Sequence, residues 1–432
     1  MASDRPAPET TIGIKNGKIG AFERKPLPRL AAAGSRTYLY RHAARPDKMS
    51  KTFDIAVIGG GLTGKAAAVV AARAGFSTVH IAPAAPADRR TSALMLPSVD
   101  FMRKAGLIGE PHTLGVPLSR IRIIDATGRL LRAPETLFES SEFGHEAFGW
   151  NFANERLGTA FEAAAAPLGT LETLPATLAS AHRDEEFWHL DLGDDSSVSA
   201  RLLVGADGKG SSVRKLAGIS AREHRFAQSA LVCDLELERP LDGCSTEFHY
   251  PDGPFTLVPA GGNKANLVWI DKPEILDKAR QSPEAFAAAL AEKSMRLFGQ
   301  LTPVSPSFVF PLSTLGVDVA GKNGAVLVGE AAHAFPPIGA QGLNLGLRDV
   351  EDLAVSLNAA NPGSWGWADS AARSYAGARA SDLTRTGVFV DSLFRSLLSG
   401  WLPAQALRSG GLWALNTIPA LRKRAVAFGM GR

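Results

Sequence analysis

The apolar positions change period several times along the chain. Phe53-Asp54-Ile55-Ala56-Val57-Ile58 is a short apolar run ending in glycines, the pattern of a buried parallel strand. Residues 65–74 continue as an alanine-rich helix, and Ser77 to Ile81 read as a second strand. Together they make a βαβ unit of the usual length, about 30 residues. In the middle of the chain, residues 228–237, 255–259 and 266–270 are rich in Leu, Val, Phe and Thr, with Pro251-Asp252-Gly253 as a turn signal. These predict antiparallel strands of a second layer. Residues 284–298 read as one helix, Val326-Leu327-Val328 as a strand, and Gln341 to Leu357 as a helix. From Tyr375 the tail reads as helical with two breaks. The expected fold is α/β, with a Rossmann-type domain interleaved with an antiparallel-sheet domain and followed by a C-terminal helical tail.

This division puts the nucleotide domain at 49–110, 150–224 and 316–360. The antiparallel domain takes 111–149 and 225–315, and the helical region 361–432. Residues 1–48 show no helical or strand period and read as a disordered or upstream extension, with Met49 as an alternative start.

Charge sharpens the picture at the two ends. Residues 1–50 hold ten Lys/Arg against four Asp/Glu, a net +6, so the other 382 residues sum to −2. Residues 392–432 hold six Lys/Arg and no acid. In this tail Leu393, Phe394, Leu397, Leu398, Trp401 and Leu402 share one helical side, which suits peripheral contact with an anionic membrane surface. No basic stripe interleaved with aromatics points to nucleic acid. The two cysteines, Cys233 and Cys244, make neither a disulfide framework nor a metal site and read as small buried residues. No run is long enough to span a bilayer, and no signal-peptide pattern opens the chain. A reducing, cytoplasmic setting is expected.

Three segments carry candidate chemistry. Gly59, Gly61 and Gly64 form G-x-G-x-x-G between strand and helix. The first glycine permits the turn, the second the approach of a pyrophosphate, and the third close helix packing. The acid usual at the end of the second strand is missing, since Ala82 and Pro83 stand there. Leu202 to Arg214 runs as a strand into Asp207-Gly208, which reads by itself as an aspartate opening a tight turn. Val328-Gly329-Glu330 ends a strand in a carboxylate able to accept a cofactor hydroxyl. The loop Pro336–Asn344 then feeds a helix N-terminus suited to anionic charge. His333 reads as a packed or capping residue.

The order G-x-G-x-x-G, G-A-D-G-x-x-S (205–211) and G-E-A-A-H…P-x-x-G-x-Q-G-x-N (329–344) resembles the FAD-dependent aromatic hydroxylases of the para-hydroxybenzoate hydroxylase fold. Within them it is most similar to the ubiquinone-biosynthesis hydroxylases of alphaproteobacterial type. Phe148 to Glu155 and Val390 to Ser399 share this likeness, which covers roughly residues 52–430. The resemblance implies that Gly59, Gly61 and Gly64 face the FAD pyrophosphate with help from Arg90. Asp207 and Gly208 would lie along the cofactor, and Glu330, where aspartate is more usual, would bind its ribitol. Gly342, Leu343 and Asn344 would offer N–H groups to the ring, and Pro337, Gly339, Gln341 and Gly342 would make the flavin-facing loop. Asn154 matches a family position and also reads as a cap for the helix after it. The implied reaction is monooxygenation of a prenylated phenol with NAD(P)H and dioxygen, through a flavin C4a hydroperoxide. Other ubiquinone-biosynthesis proteins are implied partners. An FAD-dependent dehydrogenase and a non-catalytic flavin-binding scaffold are the alternatives. No metal is expected.

Overall fold

The computed structural model describes residues 13–15, 18–20, 51–398 except 87, 129–131 and 338, and 410–430 except 412 and 416; for 13–15, 18–20, 386–398 and 428 it describes backbone only. Two units are distinct, Met1–Lys48 and Met49–Arg432. Within the first, Gly13–Lys15 and Lys18–Gly20 pair antiparallel, where the sequence reading assigned no strand. Its signal is short: an Asn-Gly pair between Gly-Ile-Lys and Lys-Ile-Gly, a common hairpin connection.

In the second unit, one sheet contains five parallel strands, in the order Leu171–Leu174, Thr78–Ile81, Lys51–Ile58, Ser197–Gly205 and Ala325–Leu327. Lys51–Ile58 lies in the middle, and its apolar run is buried because helices cover the sheet. The helix Leu62–Arg73 buries Ala66 to Ala72 without interruption, since only alanine and valine occupy that stretch. The strand Ser197–Gly205 pairs with Lys51–Ile58 along one side and with two strands on the other. Its first half pairs antiparallel with Trp188–Leu192, while its second half carries Ala325–Leu327.

The second sheet is mostly antiparallel. It runs from His333–Ala334 through Phe308–Val317, Ala221–Leu237, Lys264–Asp271, Gly253–Pro259 and Cys244–Tyr250 to Arg120–Asp125 and Thr136–Glu139. One face packs Leu231, Phe248, Phe255, Leu257, Leu267 and Trp269 into a core under the helices Pro273–Ala279 and Pro283–Lys293. A small third sheet joins Thr91–Met95, Gly149–Ala153 and Gly115–Leu118, drawing on segments that the sequence reading divides between two domains.

The helix expected over 284–298 stops at Lys293. Met295 and Arg296 take positive φ angles of 51° and 56°, which no helix continues. The helix Gln341–Asn358 follows its expected span, and the next helix, Trp367–Leu398, starts before Tyr375. The side chains of Leu393, Phe394, Leu397 and Leu398, and all of Trp401 and Leu402, lie outside the described residues. Cys233 and Cys244 are free and buried. Burial pushes the Cys233 thiol up to about 12. Among the described residues no helix is long and apolar enough to cross a membrane.

Candidate active site

The two large sheets meet across a cavity of about 930 Å³. One wall is built by turns of the nucleotide motifs, the other by side chains of the antiparallel sheet.

On the first wall the glycines divide the work. Gly59 has φ of 125°, and a Cβ there would run into the Ala206 carbonyl. A Cβ on Gly64 would strike the Gly59 carbonyl, so this residue lies behind the cavity and lets helix and strand close together. Gly61 differs: a Cβ there meets nothing within 4 Å and points into open space on the cavity wall. No side chain caps the helix that starts at Leu62, so its first N–H groups stay available for an anion. This cradle fits a pyrophosphate. Ile81 and Pro83 reach the cavity beside Ala176, Thr177 and Leu178, none of which is acidic.

Arg90 also lines the cavity. Asp88 accepts two hydrogen bonds from it, Nε to Oδ1 and Nη2 to Oδ2, each 2.8 Å. Burial opposes the Asp88 charge, but hydrogen bonds from Arg90 and Asn154 outweigh it and hold the carboxyl at about 2. Asn154 is not a helix cap. Its Nδ2 donates to Asp88 Oδ2 at 2.9 Å, and its Oδ1 accepts from Ser92 Oγ at 2.7 Å, tying the arginine loop to the helix start.

Asp207 and Gly208 lie in the same wall, yet the Asp207 carboxylate is occupied internally. It accepts from Ser211 Oγ, from the Ser212 N–H at 2.6 Å and from the Val213 N–H at 3.2 Å. The turn and the place on the cavity wall are compatible: the side chain makes the turn, and Gly208, Gly210 and Ser212 face the cavity.

Glu330 sits exposed on the wall, in the short turn Gly329–Ala331. That turn is anchored from behind. The Gly329 N–H donates to Asp349 Oδ2 at 2.7 Å, and His333 Nε2 lies 2.6 Å from the same oxygen. Arg379, only 2% exposed, pairs with Asp349 at 2.8 Å and also with Asp352 and Asp382. His333 is buried in this cluster and does not line the cavity. Pro337, Gly339, Gln341, Gly342 and Leu343 line the cavity where the helix Gln341–Asn358 begins, again without a side-chain cap. Asn344 lies behind them. Its Nδ2 donates to the Ala93 carbonyl and its Oδ1 accepts from the Met95 N–H, at 2.9 and 2.8 Å, clamping the helix to the strand Thr91–Met95.

The facing wall is made of side chains that no sequence motif marks. Strand alternation brings Ile121, Ser245, Glu247, Thr256, Val258, Asn266 and Val268 to the cavity. Asn266 is committed to neighbours: its Oδ1 accepts from Asn151 Nδ2, and its Nδ2 donates to Asp234, each at 2.6 Å. Glu247 is the carboxylate this sheet supplies to the cavity. His249 Nε2 lies 3.4 Å from its Oε2, and Thr256 Oγ1 lies 3.5 Å from its Oε1. Burial works to raise its pKa, but these two neighbours, with the charge of His249, keep it below the ordinary carboxylate value.

The family model described as "FAD binding domain" matches residues 52–379. The ubiquinone hydroxylase UbiL of Rhodospirillum rubrum is 31% identical over 396 residues, covering 88% of this chain and 90% of that protein. The 3-demethoxyubiquinol 3-hydroxylase of Escherichia coli is 29% identical over 392 residues, covering 88% and 98%. Among solved structures, the p-nitrophenol 4-monooxygenase PnpA of Pseudomonas putida superposes with a TM-score of 0.70 at 18% identity, over 88% of this chain and 98% of that one, a likeness of fold. With the cavity's glycine cradle and two uncapped helix starts, these matches make the chain a member of the FAD-binding hydroxylase family that includes the ubiquinone hydroxylases, and an FAD-dependent monooxygenase.

Proposed function

We propose that the enzyme hydroxylates a prenylated phenol in ubiquinone biosynthesis. The observation that carries this reading is the composition of the substrate wall. Its free polar spot, Glu247 with Thr256 and Ser245, is set among Ile121, Phe148, Val258 and Val268, while Asn266 on the same wall is bonded to Asn151 and Asp234. A phenol ring with an apolar substituent matches that surface; a sugar or an amino acid would leave polar groups without partners, at about 1–3 kcal/mol each.

FAD, when bound, would supply the redox chemistry: two electrons from NAD(P)H, one oxygen atom of dioxygen for the substrate and the other released as water. The chain's own residues do the rest. Gly59, Gly61 and the N-terminus of the helix Leu62–Arg73 would hold the pyrophosphate with Arg90 beside it, and Glu330 would take the ribitol hydroxyls. Pro337, Gly339, Gln341, Gly342 and Leu343, at the positive end of their helix, favour negative charge on the flavin ring. Glu247 accepts the ring hydroxyl's hydrogen bond and fixes which carbon faces the flavin. As a ring carbon is attacked, that hydroxyl becomes strongly acidic, and a carboxylate suffices to take its proton. Exposed Trp413, Ile418 and Leu421, beside Lys423 and Arg424, offer the peripheral contact a lipid-borne substrate calls for.

The test is isotopic. With labelled dioxygen and NAD(P)H or a reductase, the purified enzyme should place one labelled oxygen in a prenylphenol. Label drawn from water, or a product changed only by two hydrogens, would overturn the proposal.

A further inference from the structure

The strand register of the antiparallel sheet continues the cavity wall beyond the cavity. Residues directly paired across neighbouring strands point to the same face. Ile123 pairs with Glu247, Glu247 with Thr256, and Thr256 with Val268. Val268 then pairs with Val232, and Val232 with Phe308. One row thus crosses six strands on the cavity face. Glu247, Thr256 and Val268 line the cavity, whereas Val232 and Phe308 lie past its edge. The neighbouring row runs Ile270, Ala230, Phe310 in the same direction.

Polarity along the row is ordered. After Ile123 come Glu247 and Thr256, and from there to the other end every residue is apolar. The row ends at the surface on two aromatic rings, Phe308 at 56% exposure and Phe310 at 48%, with centroids 6.5 Å apart and planes at 25°. Single exposed apolar residues are ordinary, but a stacked pair at the end of a continuous apolar row marks a binding surface. From Thr256 to Phe308 is three strand spacings, roughly 14 Å.

We propose that this row is a track for the apolar chain of the substrate. The phenol ring rests at Glu247 and Thr256, and the isoprenoid chain leaves over Val268 and Val232 to the Phe308–Phe310 pair at the mouth. This inference rests on the prenylated-phenol reading above and adds the direction in which the substrate lies.

The experiment uses FAD-loaded full-length enzyme and phenols carrying zero, one, two or four isoprene units. Binding is read from the perturbation of flavin absorbance. In the wild type, affinity should climb with chain length. In Phe308→Ser combined with Phe310→Ser that climb should flatten, by on the order of tenfold in Kd for the longest chain. Val232→Thr, nearly the same shape but polar, should flatten it from the middle of the track. A loss equal at every chain length, or no loss in either variant, would overturn the track while leaving the phenol reading standing. A double variant that no longer floats with anionic phosphatidylserine vesicles but keeps the wild-type dependence on chain length would also overturn it and assign the rings to lipid. Wild-type enzyme that binds none of these phenols would overturn the phenol reading and the track together.

Discussion

The two walls of the cavity are made by opposite means. The nucleotide wall is largely backbone: Gly59, Gly208, Gly329 and Gly339 all take positive φ, and two helix N-termini open on it without side-chain caps. Several carboxylates near it are spent on shaping turns. Asp207 holds its own turn, Asp88 holds Arg90, and Asp349 holds the Gly329 turn from behind. The substrate wall is side chains on regular strands, whose backbone groups are consumed by pairing. A backbone wall is insensitive to most substitutions and intolerant of a few. A side-chain wall can be retuned residue by residue without changing the fold.

The sharpest break of that contrast lies within one motif. Gly64→Val would drive its side chain into the Gly59 carbonyl, so the folded protein should fail to accumulate. Gly61→Val has open space, so the chain should fold with the melting temperature of FAD-free wild type while failing to bind FAD, because the new methyls occupy the pyrophosphate's place. Flavin content and calorimetry on both variants check this; a folded, yellow Gly61→Val protein would remove the pyrophosphate from this loop.

Next in size is the anchor behind the Gly329 turn. Asp349→Ala would leave the Gly329 N–H and His333 without their acceptor and Arg379, 2% exposed, short of one counter-charge. Breaking a buried pair from one side costs about 3–5 kcal/mol. Thermal unfolding should show the loss. FAD affinity should fall as well, since the turn carrying Glu330 is no longer held. Asp349→Asn, which keeps an acceptor for the N–H, should recover FAD affinity more fully than stability. Equal recovery of both would mean that the network is not specifically a support for the turn.

On the substrate wall the largest single effect should come from Glu247→Gln. A hydrogen bond to a charged acceptor is worth ~1.5–3 kcal/mol, so kcat/KM should fall roughly tenfold to a hundredfold. NAD(P)H consumption should persist, with hydrogen peroxide replacing hydroxylated product. The Glu247 carboxyl is held below its ordinary value of 4.5, so it is charged above a pKa lower than that and loses its charge only as pH falls through it. The acid limb of kcat/KM should therefore lie below pH 4.5 and move upward in His249→Ala, which removes the side-chain neighbour that most lowers it. A limb that stays in place would detach Glu247 from the reaction.

The difference between the walls also decides what could be read from the sequence. Glycines and turn-forming residues carry their geometry locally, so Gly59, Gly61, Asp207 and Glu330 stand out in order along the chain. Glu247 does not. It sits in Cys-Ser-Thr-Glu-Phe-His-Tyr, whose alternation shows that one face is polar but not what that face meets. Only the register with Thr256 and Val268 brings it to the cavity. Asp349, His333 and Arg379 were hidden for a related reason: they come from a strand and two helices, and nothing local joins them. The Asp349/Asp352 and Arg379/Asp382 spacings of three on their helices were the available trace. Asn344 shows the converse, a motif residue whose side chain is a clamp.

Asp207 gives the smallest and most exact test of the comparison. It belongs to a sequence motif and lies in the cavity wall, so a direct cofactor role would make its replacement costly to FAD binding. The geometry says otherwise: one oxygen takes the Ser211 hydroxyl and the other the N–H groups of Ser212 and Val213. Asp207→Asn keeps one acceptor oxygen and loses the other along with the charge. That amounts to a weakened helix cap, about 1 kcal/mol, and a melting temperature lower by roughly 2 °C for a protein this large. FAD affinity should change by less than about threefold, well under the 1.4 kcal/mol that a tenfold loss requires. A large loss of FAD with an unchanged melting temperature would reverse the assignment, making Asp207 a ligand and its turn incidental. A melting temperature that falls alone would place this carboxylate with Asp88 and Asp349, as a residue that shapes the nucleotide wall without touching what the wall holds.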